Sequence, residues 1–232
     1  MYAKFFKRLL DFLISLIAII VLSPILLILT IVGAIVMKGN PFFCQPRPGK
    51  KGKNGEEKIF YLFKFRTMSN ARDKEGKLLP DDKRLGKYGK FLRSISADEL
   101  PALFNVLTGR MALCGPRPQL VRDMLFMTDE QRRRHDVRPG LTGLAQVNGR
   151  NNISWERKLQ YDLEYIDNGI TFWGDIKIFF KTIVVVFKRS DITREGTVSD
   201  TDFGDYLLQK GEVDKAEYDQ KQDLAKEKIE KL

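Results

Sequence analysis

Between Phe12 and Met37 the chain carries no charged residue. At about 1.5 Å per helical residue such a run is long enough to cross the ~30 Å hydrocarbon core of a bilayer. A secretory signal fits poorly, because the run is too long and lacks a small-residue cleavage site. Ser23-Pro24 lies near its middle. Proline removes one helical hydrogen bond and its ring crowds the preceding turn, so a sharp kink is expected there. The Ser23 hydroxyl can help satisfy the backbone groups so freed. Each half is then about a dozen residues, roughly 18–20 Å, short of a full crossing. Both flanks are basic: Lys4, Lys7 and Arg8 precede the run, and Lys38, Arg47, Lys50, Lys51 and Lys53 follow it. The positive-inside rule places both flanks on the cytoplasmic side. A helix that enters, breaks at Ser23-Pro24 and returns satisfies both conditions. A kinked span remains the alternative, since proline is common in true spans. On either reading the chain is an integral membrane protein.

A length of 232 residues allows one ordinary domain plus extensions, with a core large enough to need no disulfide or metal staple. Forty Lys and Arg against 30 Asp and Glu leave a net charge of +10, which suits anionic partners. Nucleic acid fares poorly among these, because the cations cluster beside membrane-seeking segments, where lipid headgroups lie. Cys44 and Cys114 are far apart in sequence and in no metal-ligand spacing, which points to a reducing compartment. A single histidine, His135, excludes a His-rich metal site and disfavours a His-based triad.

The middle of the chain holds the candidate chemistry. Pro41 to Gly55 reads as a loop leaving the membrane, and Ile59 to Thr67 as a strand whose even face ends in Lys64 and Arg66. That pair is either a cation cluster or a solvated strand end. Asn70 to Lys87 reads as a surface loop, followed by a short helix or turn carrying Arg93. Ser96 with Glu99 fits a capping box, so a helix is expected here, starting a residue or two later if Pro101 displaces it. Asp98 and Glu99 then fall in or beside its first turn, where the helix dipole favours negative charge; acids there also serve as ordinary helix starts. Leu100, Leu103, Phe104 and Leu107 mark the expected buried face.

Gly115-Pro116-Arg117-Pro118 fixes the backbone around one guanidinium, either for bidentate phosphate contact or as a rigid turn. The Gly-rich stretch from Arg138 to Gly143 could offer backbone N–H groups to an anion, and Asn148-Gly149 is a turn. Neither a Walker pattern nor a GxGxxG is present. Trp155 to Asn168 reads as an amphipathic helix. Asp175 to Arg189 reads as an interfacial helix against lipid, or else as an ordinary core helix. After Ser190 the chain turns polar, and Glu212 to Leu232 is mostly charge. That tail suits a solvated helix, a disordered segment or a contact with a second copy.

Together these motifs resemble one family, the small monotopic phosphoglycosyl transferases or bacterial sugar transferases. The carrying residues are the apolar helix with Ser23-Pro24, Lys64-Phe-Arg-Thr-Met68, Ser96-Ala-Asp-Glu-Leu100, Phe104-Asn-Val-Leu107, Gly115-Pro-Arg-Pro118, Arg138-Pro-Gly-Leu-Thr-Gly143 and Gln146-Val-Asn-Gly-Arg150. They occur in order from about residue 1 to 190. The resemblance implies an α+β, mostly helical fold. It comprises a re-entrant membrane helix over 1–38, a compact cytoplasmic catalytic domain over 39–190 with interfacial amphipathic helices and a small β element, and a charged extension over 191–232. The length implies the minimal catalytic form.

The resemblance also implies that Asp98 and Glu99 form a catalytic dyad at the cytoplasmic face of a bacterial inner membrane. Asp98 would attack the β-phosphate of a UDP-sugar, release UMP and hold the sugar phosphate until polyprenyl (undecaprenyl) phosphate takes it. Arg93, Arg117, Arg150 and Lys64 are the expected phosphate-binding cations, and Mg²⁺ is expected beside Asp98. An N-acetylated donor sugar is the first expectation and a plain hexose the second. A non-catalytic basic membrane anchor, with Asp98 and Glu99 as mere helix start, is the competing class. No nucleic-acid partner is expected, and a homodimer stays open.

Overall fold

The computed structural model describes residues 1–149, 153–188 and 201–232. A π-helical turn over Tyr2–Phe6 leads into helix α1 (Lys7–Met37). Tyr2–Met37 is long and apolar enough to cross a membrane, and only 6% of its most apolar window is buried in the protein, so it is not a core helix. Helical structure continues through Ser23-Pro24 instead of ending there. The reason is local. Pro24 has no N–H to give Ile20, four residues back, and the Ser23 hydroxyl donates to the Ile20 carbonyl instead, at 2.7 Å.

Both ends of α1 are fastened to the same folded body. Arg8 donates to the carbonyls of Val106 and Leu107 at 2.6 and 2.7 Å, and Asp11 accepts from the Leu113 N–H at 3.1 Å. Lys7 pairs with Asp175 at 2.5 Å. Towards the far end, Tyr88 donates to the Leu29 carbonyl at 3.0 Å, and Leu26 and Leu29 pack beside Phe65 and Leu92. The opposite face, with Ile17, Ile20, Val21, Leu27, Ile28 and Ile35, is bare.

Strands β1 (Phe42–Lys51) and β2 (Glu57–Phe65) form an antiparallel hairpin, so most of the segment expected as a loop over 41–55 is a strand. Its prolines are tolerated for a register reason. Asn105 accepts from the Phe63 N–H and donates to the Tyr61 carbonyl, so these groups point away from β1. Positions two apart share this orientation. Pro46 and Pro48, opposite Tyr61 and Ile59, therefore sit where no N–H is needed towards β2.

Helix α2 (Asp81–Arg84) lies in the expected surface loop, and α3 (Lys87–Ser94) follows. A 3₁₀ turn, Ala97–Ala102, runs into α4 (Leu103–Leu107). Beyond them come β3 (Ala112–Cys114), α5 (Val121–Met124), α6 (Asp129–Arg132), β4 (Gly140–Thr142) and α7 (Leu144–Val147). The C-terminal part consists of α8 (Trp155–Asp167), α9 (Phe172–Lys188), α10 (Phe203–Lys210) and α11 (Lys215–Glu230).

β3 and β4 pair in parallel, with Gly115 donating to Thr142 and Gly140 to Pro116. The Gly140 N–H, within the Gly-rich stretch, is thus taken by backbone and is not offered to an anion. A side chain at Gly140 would meet Gly115 N at 2.2 Å, so only glycine permits this approach.

The core is a chain of small clusters. Phe60 and Leu62 of β2 pack on Ala102, Val106 and Met111. Phe126, Trp155 and Leu159 pack on Phe203, Leu207 and Val213, so these residues of the polar extension are bound into the body. α11 carries the charged face expected of a solvated helix, with Ala225 its buried residue. Ile178 of α9 is buried, whereas Trp173, Phe179, Phe180, Ile183 and Val184 are exposed. One face of α9 therefore meets the body and the other presents bare apolar surface. Cys44 is exposed, Cys114 is buried, and both are free.

Candidate active site

Asp98 and Glu99 do not begin an ordinary capped helix. Ser96 adopts a left-handed conformation (φ 55°) and makes no side-chain cap, so the expected capping box is absent. The dyad rides on the 3₁₀ turn, whose six residues give little axial dipole. The pitch change also moves the buried face. Phe104, expected inside, is 45% exposed, while Ala102, Leu103 and Val106 are buried.

Side-chain cations control the site in place of a dipole. Both Glu99 oxygens are engaged: Arg117 Nη2 lies 2.6 Å and Lys64 Nζ 2.8 Å from Oε1, with Arg117 Nη1 3.3 Å from Oε2. Burial alone would raise the Glu99 carboxyl, but Arg117 and Lys64 outweigh it and hold Glu99 well below the usual carboxylate range. Arg117 in turn is held charged by Glu99, while burial pulls Lys64 down. Asp98 is the contrasting member. Among the described residues its carboxylate has no hydrogen-bonding partner, and burial, then the neighbouring Glu99 charge, push its pKa up. Lys64, Arg93 and Arg117 pull the other way without prevailing. Two adjacent carboxyls with opposed environments are the pattern of divided chemical roles.

Each cation has a structural cause. Lys64 is delivered by β2, which Asn105 pins to α4. Arg117 is set by its loop and by Arg134, which donates to the Arg117 carbonyl at 2.6 Å while paired with buried Asp162. Arg93 reaches Thr67 Oγ1 at 3.2 Å because Gly89 lets α3 lie on the Thr67 backbone, where a Cβ would stand 1.9 Å from the Thr67 carbonyl oxygen. Arg66 donates to the Phe42 carbonyl and lines the cleft. Arg150 lies outside the described residues. Arg138 donates through Nε to the Gly109 carbonyl at 2.8 Å.

Sequence reasoning missed Asn105, Arg134 and Arg47. Burial lowers Arg47 to about 10, followed by repulsion from Arg117. A polar residue inside an apolar helical stretch was the available signal for Asn105. No pattern marked Arg47 beyond its charge.

The dyad opens on a cleft of about 1030 Å³ with two unlike walls. One is apolar and comes from the membrane helix and α9, through Ile14, Ala18, Leu22, Phe179 and Val185. The other is cationic, through Lys64, Arg66, Arg93 and Arg117 around Asp98. A greasy chain can lie along the first while its anionic head meets the second.

A family model described as bacterial sugar transferase matches residues 2–189. The chain is 44% identical over 194 residues to an uncharacterized sugar transferase, EpsL, of Bacillus subtilis, covering 83% of this chain and 93% of that protein. It is 41% identical over 193 residues to a UDP-glucose:undecaprenyl-phosphate glucose-1-phosphate transferase of Klebsiella pneumoniae, covering 77% of this chain and 39% of that one. It is 34% identical over 205 residues to an undecaprenyl-phosphate galactose phosphotransferase of Salmonella typhimurium, with 81% and 41% covered. The chain thus spans about two fifths of the length of the latter two.

Proposed function

The chain belongs to the bacterial sugar transferase family, and from that premise we propose that it moves a sugar 1-phosphate from a UDP-sugar to polyprenyl phosphate, with Asp98 as nucleophile. The observation that carries this reading is the opposed state of the dyad. Among the described residues Asp98 has no hydrogen-bonding partner, and it faces a cleft lined by cations, whereas Glu99 is locked between Arg117 and Lys64. In the first step an Asp98 oxygen bonds to the β-phosphorus as the bond from that phosphorus to the α-phosphate oxygen breaks, and UMP leaves. In the second, an oxygen of polyprenyl phosphate bonds to the same phosphorus as its bond to Asp98 breaks, restoring the carboxylate. A carboxylate nucleophile splits one displacement into two in this way. Arg117, Lys64 and Arg93 stabilise charge on the phosphoryl oxygens. Glu99 acts as a positioning residue that holds Arg117 and Lys64 in place, both of its oxygens being engaged by them.

Mg²⁺ fits the donor set modestly. Asp98 has oxygens to give, whereas those of Glu99 are occupied, and Mg²⁺ is commonly held by one or two carboxylates together with substrate phosphates. Among the described residues no group of three or more acidic, His or Cys side chains is placed to hold a metal ion. When bound it would supply charge neutralisation at the phosphates.

The re-entrant course of α1 belongs to the same proposal. A straight span would carry one end of the helix away from the body, yet both ends are fastened to it, and proline removes a hydrogen bond between them. This supports a helix that enters and leaves on one face, with the body on the cytoplasmic side. The N-acetylated sugar first expected has a competitor supported by a specific observation: relatives are named for glucose and galactose.

The deciding experiment is UMP release by nanodisc-held protein with undecaprenyl phosphate, Mg²⁺ and a panel of UDP-hexoses and UDP-N-acetylhexosamines, run beside Asp98→Asn. Turnover with one donor, lost in Asp98→Asn while the variant stays folded and membrane-bound, is the expected result. Near-normal turnover by that variant would refute the covalent route. Silence of both proteins over the whole panel would favour the membrane-anchor reading.

A further inference from the structure

The family-matched region ends at residue 189, yet described residues beyond it line the same cleft. Thr201 and Asp202 face it together with Arg122, Asp123 and Trp155. Asp202 occupies the N-cap of α10, where an aspartate ordinarily accepts an N–H of the first helical turn. It makes no such cap. The Phe203 N–H goes to Asp123 at 2.9 Å, and the Asp202 carboxylate is turned onto Arg122. The segment is fixed from behind by Phe203 and Leu207 in the core and by Trp155 Nε1 donating to the Thr201 carbonyl at 2.9 Å. Asp202 is therefore placed by its neighbours and is not needed as a cap.

Its position relative to the dyad follows from Arg47. Arg47 donates to the Pro118 carbonyl at 3.2 Å, next to Arg117, and Arg47, Arg117, Glu99, Arg122 and Asp202 all line the one cleft. Most other carboxylates on the cleft wall are engaged by protein groups. Asp123 accepts from two backbone N–H groups, Asp162 is paired with Arg134, and Glu99 is saturated. Asp202 is a half-buried carboxylate on the cleft wall with one oxygen on Arg122. A carboxylate repels a diphosphate but accepts hydrogen bonds from two neighbouring hydroxyls, while the guanidinium beside it has N–H groups left to donate.

We propose that the C-terminal segment completes the donor site, and that Asp202 with Arg122 selects the UDP-sugar by binding a vicinal diol. This rests on the transfer reading above. The diol is present in the transferred sugar and in the ribose, and the test separates the two.

The experiment compares kcat/KM for UMP release by wild type and Asp202→Asn, using the preferred UDP-sugar, its deoxy-sugar analogue and its 2′-deoxyuridine analogue. Wild type is expected to prefer the complete donor over one analogue by about tenfold or more, and Asp202→Asn to bring that ratio close to one. Loss of preference against the deoxy-sugar assigns the diol to the sugar, and against the 2′-deoxyuridine donor to the ribose. A purely structural Asp202 would slow all three donors by one common factor and leave both ratios unchanged, which overturns the inference. If Asp202→Asn is not folded, the same ratios are read in Asp202→Glu, which keeps the charge but displaces the accepting oxygens. Wild-type protein silent on every donor would instead refute the transfer reading and this inference with it.

Discussion

Asn105 offers the sharpest test of how the site is built. It is fully buried, and its amide acts as a third strand alongside β2, accepting from Phe63 N at 3.0 Å and donating to Tyr61 O at 2.8 Å. Replacing it with alanine orphans one backbone donor and one backbone acceptor in the core. At about 1–3 kcal/mol for each unsatisfied buried group the cost sums to roughly 2–6 kcal/mol, before any small cavity contribution. For a chain of this size about 3 kcal/mol corresponds to a fall in melting temperature of roughly 6–12 °C. Lys64 follows Phe63 directly, so the loosened strand should also release Lys64 from Glu99 and lower kcat at temperatures where the variant is still folded. The assay is thermal unfolding in detergent together with UMP release well below the melt. A variant melting within about 2 °C of wild type, with kcat intact, would refute the claim that this amide bears the edge of β2.

Three further outcomes are expected. Since the Glu99 charge helps raise Asp98, Glu99→Gln should lower the Asp98 pKa and move the acid limb of kcat/KM to lower pH, alongside a fall in rate as Arg117 and Lys64 lose their anchor; an unmoved limb counts against the dyad reading. Burial pushes His135 down to about 4 from 6.5, so the unfolded chain binds more protons in that window. The stability due to neutral His135 is thus present above about 6.5 and lost as pH falls to about 4, and His135→Gln should flatten that part of the melting-temperature profile. Gly89→Ala would set a Cβ 1.9 Å from the Thr67 carbonyl oxygen, forcing α3 off its seat. A loss of about 1–3 kcal/mol and reduced turnover through Arg93 should follow, checked by melting and UMP release.

Several elements were legible from local rules alone. An uncharged run broken by Ser23-Pro24 announces a membrane-seeking helix, since lipid tolerates no other use for it. The period of α8 and the alternation around Ile59 to Thr67 are likewise properties of a few adjacent residues. Asp98, Glu99, Lys64, Arg93 and Arg117 could be singled out one by one and are in fact brought to one cleft. Arg150, singled out with them, lies outside the described residues. What local rules could not reach was pairing. The strand status of 42–51 despite Pro46 and Pro48 depends on which β2 groups face Asn105, some forty residues away. The absent cap at Ser96 and the exposure of Phe104 depend on a 3₁₀ pitch imposed around the dyad.

The sequence by itself determined that the chain seeks a membrane, which residue types could handle phosphate, and in what order they come, because hydropathy, charge and turn chemistry are short-range. The division of labour between Asp98 and Glu99 was decided only in three dimensions. Two adjacent carboxylates are equivalent on paper, and they part ways because Arg117 and Lys64, brought from two other elements, meet one of them and leave the other facing the cleft.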